Sequence, residues 1–285
     1  MDLPTFRCAT GLLALACGGV CAAQSQQTLV FQQGANNYVS TQDTWVNEDS
    51  PDSSYGGDAT RWSDDDVANS FWSDYAGQAL LRFDSIVGTG NPAAIPPGSQ
   101  VISAVLRVHV VEDNDSPFWT PIVFVHRITR DWHEGSTWNS LGGGLSVPED
   151  IQGAFATFSS DNEPEDNTLK EVNLVEQVRA WVNGEPNWGV AFLFENIDGN
   201  DDGIEIASSE HSNGSIRPLL EVTFVPPPPP PPPNPADRDG NGVVNGLDLA
   251  YVLGTYGTAS ALGDVNGDGW VDGMDLASLI SSWSM

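Results

Sequence analysis

Between residues 28 and 225 the apolar residues come in short runs, most of them alternating with polar ones and bounded by Gly, Pro, Asn or Asp. QALLRFDSI (78–86), VISAVLRVHVV (101–111), PIVFVHRIT (121–129), WGVAFLFEN (188–196) and RPLLEVTFV (217–225) have the length and β-branched or aromatic content of strands. One stretch, LVEQVRAWV (174–182), instead spaces its apolar residues as a helix does. Many strands with turn signals between them predict an antiparallel β-sandwich. After residue 236 the period changes. Leu249, Val252, Leu253 and Tyr256, then Leu276, Leu279, Ile280 and Trp283, predict two short amphipathic helices whose apolar stripes pack against each other.

Eight consecutive prolines, Pro226 to Pro233, separate the two patterns. Proline fixes φ and donates no hydrogen bond, so this run reads as a stiff polyproline II spacer. At the other end, residues 1–23 carry Arg7, an apolar stretch from Cys8 to Val20 and small residues before Gln24. That is the pattern of a cleaved secretory signal, too short to span a bilayer. The expected organisation is a signal peptide at 1–23, a β-sandwich at 24–225, a linker at 226–235 and a small module at 236–285. It implies a secreted or cell-surface protein with no membrane span. All three cysteines, Cys8, Cys17 and Cys21, fall in the leader, so disulfides do not hold the remainder together.

The charge is strongly one-sided, −29 over 285 residues. Residues 24–225 hold 31 acids against 8 bases, and residues 237–285 hold 7 against 1. A surface of this sign repels nucleic acid and other polyanions. Arg107, Arg127 and Arg130 are the basic residues that could form a local exception.

The small module writes one sentence twice: DRDGNGVVNGLDL (237–249) and DVNGDGWVDGMDL (264–276). Asp237, Asp239, Asn241, Asn245 and Asp248 align with Asp264, Asn266, Asp268, Asp272 and Asp275. These are positions 1, 3, 5, 9 and 12 of a calcium loop. The spacing supplies the oxygen ligands that hard Ca²⁺ takes, Gly242 and Gly269 allow the sharp turn, and Val243 and Trp270 offer their carbonyls at position 7. Each loop runs into one of the expected helices, and one such unit cannot bury its apolar stripe alone. The double unit resembles the type I dockerins, over about residues 236–285. The resemblance implies a small all-α module holding two Ca²⁺ ions and docking onto a cohesin-like partner. Where cellulosomal dockerins often carry a Ser-Thr type pair that helps recognise cohesin, this chain has Gly246-Leu247 and Gly273-Met274.

The large module contains, in order, DTWVNEDSPDSSYGG (43–57), QALLRFDSI, IPPGSQVISAVLRVHV (95–110), RDWHEGSTWN (130–139), VRAWVNGEPNWGVAF (178–192) and SSEHSNGSIRPLLEV (208–222). This order is similar to that of the DNRLRE-type β-sandwiches, which are allied to carbohydrate-binding modules. The resemblance implies a jelly-roll-like fold and polysaccharide binding.

Sugar recognition uses flat aromatic faces with polar groups around them. Trp72, beside Trp62, Phe71 and Tyr75 in RWSDDDVANSFWSDY (61–75), and Trp119 in DNDSPFWTP (113–121) are the candidate platforms. Trp132, Trp138, Trp181 and Trp188 lie in the landmark motifs and are expected in the core. Asp64, Asp65 and Asp66, or Asp198, Asn200 and Asp202, offer a further Ca²⁺ site, although acidic hairpin turns read the same way. The four histidines lack metal-ligand spacing, and phosphate-binding glycine motifs, a G-x-S-x-G elbow and H-E-x-x-H are absent. Glu134, Glu195, Glu205 and Glu210 could supply a glycosidase acid pair, but Glu134 and Glu210 fall on landmarks where a structural role is expected. The sequence therefore reads as a secreted, non-catalytic modular binder. A polysaccharide-degrading hydrolase or lyase and a structural surface protein remain as alternatives.

Overall fold

A computed structural model describes residues 25–64, 76–113, 122–159, 168–194, 203–228 and 233–284. The chain divides into two compact units, residues 1–227 and 228–285, with the division inside the proline run.

The first unit is mainly β. In chain order its elements are β1 (Gln27–Gln32), β2 (Thr41–Asn47), β3 (Thr60–Asp64), β4 (Gly77–Phe83), β5 (Gln100–Asp113), β6 (Ile122–Arg127), β7 (Ala156–Ser159), β8 (Thr168–Asn173), α1 (Val175–Val182), β9 (Val190–Phe194), β10 (Gly203–Ala207) and β11 (Leu219–Val225). Every pairing between these strands is antiparallel. β1, β11, β5, β10 and β3 follow one another, with β8 also on β5; β4, β9, β6 and β7 continue the order, with β2 also on β4. A single pair, Asp64 with Gly77, joins the two sets, so the network behaves as two antiparallel sheets. The expectation of an antiparallel, mainly β chain with one helix at 174–182 holds.

Strict alternation marks the strands that bury one face. In β11, Leu220, Val222 and Phe224 are buried and their neighbours are not. In β5, Ala104, Leu106, Val108 and Val110 do the same. These meet Ala79, Leu81 and Phe83 of β4 and Val190, Phe192 and Phe194 of β9 in one apolar cluster, so both sheets contribute to a shared core. α1 lays Val178, Trp181 and Val182 on the same cluster.

β4 does not alternate: all seven of its residues are buried. Its second face, through Leu80, enters another cluster with Trp132, Leu141, Leu145 and Ile151, against which Trp138 and Trp188 pack. A strand covered on both sides reads as a continuous apolar run, which is why QALLRF looks as it does. Arg82, on that second face, lies over the rings of Trp132 (5.1 Å) and Trp188 (5.6 Å) and pairs with Asp84 at 2.7 Å. The turn into β9 needs Gly189: φ is +77°, and an added Cβ would sit 2.1 Å from the Leu81 carbonyl oxygen. All four landmark tryptophans are thus packing residues.

The second unit contains α2 (Gly246–Gly254) and α3 (Gly273–Ser281), packed against each other around Ala236, Val244, Val252, Val265, Val271 and Leu279. The expected helices are present, but their apolar stripes are only partly covered. Val252 and Leu279 are buried and Leu249 and Leu276 half-buried, whereas Leu253, Tyr256, Ile280 and Trp283 are exposed. Each nine-residue helix faces one partner helix, which covers one row of side chains and leaves the next in solvent.

Candidate functional site

Both acidic loops are built on one scaffold of backbone hydrogen bonds. In the first, the Asp237 carboxylate accepts from the N–H groups of Asn241 (3.1 Å) and Gly242 (2.7 Å). In the second, Asp264 accepts from Gly267 (2.7 Å), Asp268 (3.1 Å) and Gly269 (2.9 Å). The turn is closed by two glycines per loop at positive φ: Gly240 and Gly242, then Gly267 and Gly269. Asn241 Oδ1 accepts from Val243 N–H and Asp268 Oδ1 from Trp270 N–H, which fixes the residue at loop position 7.

The last acid of each loop is also part of the helix that follows. Asn245 and Asp272 cap α2 and α3, and Asp248 and Asp275 reach back as the partners in capping boxes. Asp248 accepts from the N–H groups of Arg238, Asp239 and Asn245, and Asp275 from those of Val265, Asn266 and Asp272, all within 2.7–3.2 Å. Both side chains are fully buried. Burial alone would raise their pKa values, but these three N–H donors outweigh it and hold both below the usual carboxylate range. The loop cannot open without uncapping its helix.

Oxygens of Asp237, Asp239 and Asp248 lie within 4.8 Å of one another, a set that could hold a metal ion. In the second loop position 3 is Asn266, so the acids are Asp264, Asp268, Asp272 and Asp275. The donor set in both loops is oxygen alone, which suits a hard divalent cation. Nothing in the unit's own cationic chemistry opposes this. Its single base, Arg238, spends its guanidinium on the carbonyls of Pro235, Ala261 and Leu262, and among the described residues no salt bridge reaches a loop carboxylate.

The duplication extends to the exposed apolar side chains. Val243 and Trp270, Leu247 and Met274, Leu253 and Ile280, and Tyr256 and Trp283 are pairs 27 positions apart, and all eight are between 41% and 64% exposed. Gly246-Leu247 and Gly273-Met274 therefore present a large apolar residue at the same place in both copies.

In the first unit Trp72 and Trp119 lie outside the described residues, as do Asp65, Asp66, Asp198, Asn200, Asp202 and Glu195. The structure does bring Glu134 and Glu210 together, around a centre not singled out from the sequence. Arg61 of β3, itself buried, forms ion pairs with Asp43 of β2 and with Glu210 (2.7 Å). Its guanidinium also donates to the carbonyls of Asp43, Gly56, Asp58 and Thr60. Glu134 sits against Gly56, beside this centre. One guanidinium thus pairs with two carboxylates, and its charge also reaches the Glu134 carboxyl. Burial pushes the Asp43 carboxyl up to about 6, with Arg61 opposing the rise and Glu210 and the Ser209 donors adjusting it; burial and Glu210 raise Glu134 as well. On the same side of β2, Trp45 stacks on Tyr55 with centroids 4.1 Å apart and donates to Asp58.

A raised pKa in the folded state means that Asp43 binds its proton more tightly there than in the unfolded chain. Its contribution to stability is full below about pH 4 and is lost as pH rises through about 6. Denaturant midpoints measured across this window should fall with pH in the wild type by the equivalent of about 2 kcal/mol, and Asp43→Asn should flatten the profile. Glu149→Gln, at an exposed position, should leave it unchanged. An unaltered slope in Asp43→Asn would reassign the effect to the unit's overall charge.

Three of the four histidines make local hydrogen bonds. His126 Nδ1 bonds the Gln152 carbonyl, and the Nδ1 atoms of His133 and His211 accept from Gly135 and Asn213 N–H. The three arginines that might have formed a basic patch are engaged: Arg107 with Glu171 and Glu221, Arg127 with Glu185, Arg130 with Asp150. No helix among the described residues is long and apolar enough to cross a membrane. Neither protein-family models nor curated proteins yield a match to this chain.

Proposed function

We propose that residues 236–285 form a calcium-organised docking module of the dockerin type, carried by a secreted, jelly-roll-like β-sandwich that binds polysaccharide. The observation that carries the first half is the repetition of an oxygen-only loop on one backbone scaffold, with its last acid built into the following helix. Asp237, Asp239, Asn241, Asn245, Asp248 and the Val243 carbonyl would hold one Ca²⁺. Asp264, Asn266, Asp268, Asp272, Asp275 and the Trp270 carbonyl would hold the other. The bound ion supplies the positive charge that neither loop obtains from a basic side chain. The duplicated exposed apolar residues are the surface through which a cohesin-like partner would be engaged.

The polysaccharide half rests on the resemblance of the landmark motifs and on charge. With net −23 on residues 24–225 and Arg107, Arg127 and Arg130 already paired, polyanionic glycans are disfavoured. Glu134 and Glu210 are tied into the Arg61 centre, which favours binding over hydrolysis. Glycan-array binding of the full chain, run beside a hydrolysis assay, should show retention of neutral polysaccharide without product release. Trp72→Ala or Trp119→Ala should weaken that binding by about 1–3 kcal/mol. Tight alginate binding at low salt in the presence of chelator would contradict the neutral preference, and turnover abolished by Glu134→Gln would establish the enzyme.

A further inference from the structure

We infer that Asn213 is the chain's site of self-modification, where the backbone nitrogen of Gly214 attacks the side-chain amide and converts the asparagine to an aspartyl or isoaspartyl residue. In this step the Gly214 nitrogen forms a bond to Asn213 Cγ, its proton and the amide leave as ammonia, and a cyclic imide results. Water then opens the imide at either carbonyl. Glycine on the C-terminal side is required because no side chain obstructs the attacking nitrogen.

The chain contains five Asn-Gly pairs, at 183, 213, 241, 245 and 266, and their surroundings differ. The attacking N–H is occupied in three. Gly184 donates to the Trp181 carbonyl (3.0 Å), Gly242 to the Asp237 carboxylate (2.7 Å) and Gly267 to the Asp264 carboxylate (2.7 Å). The leaving amide is also held in the calcium-type loops: Asn241 Nδ2 donates to Asp239, Asn266 Nδ2 to Asp268 and Asn245 Nδ2 to the Val243 carbonyl. Asn245 caps α2 as well, so turning its side chain toward Gly246 would uncap the helix.

Asn213 differs on each count. Among the described residues neither Gly214 N–H nor Asn213 Nδ2 has a hydrogen-bond partner, and residues 212–215 are exposed to water. The Ser215 hydroxyl (2.8 Å) and N–H (3.1 Å) both donate to Asn213 Oδ1, which polarises the carbonyl under attack. Breaking one main-chain hydrogen bond slows a reaction by up to about tenfold, and breaking one to a carboxylate by about tenfold to a hundredfold. The Gly214 nitrogen and the Asn213 amide nitrogen are free of both costs.

The turn it occupies is not inert. Glu210 reaches Arg61 from it, and the His211 carbonyl accepts from Arg217 Nε at 2.8 Å. An isoaspartyl link lengthens the backbone of that turn by one methylene group, so the modified chain should have a lower Tm for its first unit.

The test is timed peptide mapping of the full chain, held in calcium-containing buffer at mildly alkaline pH, with mass spectrometry and isoaspartyl detection. The peptide holding Asn213 should convert about tenfold faster than those holding Asn183, Asn241, Asn245 and Asn266. In denaturant the five should converge, and Gly214→Ala should suppress conversion at 213 alone. Any other Asn-Gly pair converting as fast in the folded chain would overturn the inference. So would a lead at Asn213 that persists unchanged in denaturant.

Discussion

Chelation of calcium should abolish the helical circular dichroism and the cooperative melting of residues 228–285 while leaving the β-rich unit folded. The small unit has six buried apolar residues in its core and no disulfide. A core of that size supplies at most about 3–5 kcal/mol, and the net charge of −6 on residues 237–285 works against it. An ion at a hundred times its dissociation constant would add about 2.7 kcal/mol per site, so two ions would account for most of the stability. Without them the oxygens of Asp237, Asp239 and Asp248 lie within 4.8 Å of one another with no cation between them. Because Asp248 and Asp275 serve loop and helix together, loop disorder and helix loss should occur in one step. Helicity that persists in chelator would show that the capping boxes and core suffice.

Replacing Arg61 with Met should destabilise the first unit by about 3–5 kcal/mol at neutral pH, the scale of stripping one partner from a buried ion pair. For a unit of this size that corresponds to roughly 6–20 °C in Tm. The guanidinium binds two carboxylates and four carbonyls drawn from β2, the 56–60 segment and the 208–211 turn, and no apolar side chain satisfies any of them. Arg61→Lys should recover only part of the loss, since one ammonium cannot reproduce the planar fork. The deficit should shrink in acid, where Asp43 is protonated and no longer needs its counter-charge. A loss of less than about 1 kcal/mol would mean that water reaches the centre.

The parts of this protein that are legible in sequence are those fixed by local periodicity. LVEQVRAWV corresponds to α1 within one residue, and the five longest apolar runs became β4, β5, β6, β9 and β11. The short strands β1, β2, β3, β7, β8 and β10 are more polar and are stabilised by neighbours distant in sequence, as when β1 pairs with β11. The Asp43–Arg61–Glu210 centre was invisible for the same reason: its members are 18 and 149 positions apart, and nothing in DTW, TRWS or SSEH taken singly marks an ion pair. The duplicated acidic loops were readable because their oxygen-bearing residues lie within one twelve-residue window and the pattern occurs twice. What the periodicity overstated was burial. It placed Leu253, Tyr256, Ile280 and Trp283 on packed faces, whereas one helix can cover only one row of its neighbour.

Isothermal titration of the full chain with CaCl₂ tests the two-ion module most directly. Two ions per chain are expected in the wild type, one in Asp237→Ala and one in Asp264→Ala, with the Tm of the first unit unchanged in all three. Absence of binding, or a stoichiometry that neither substitution alters, would contradict it.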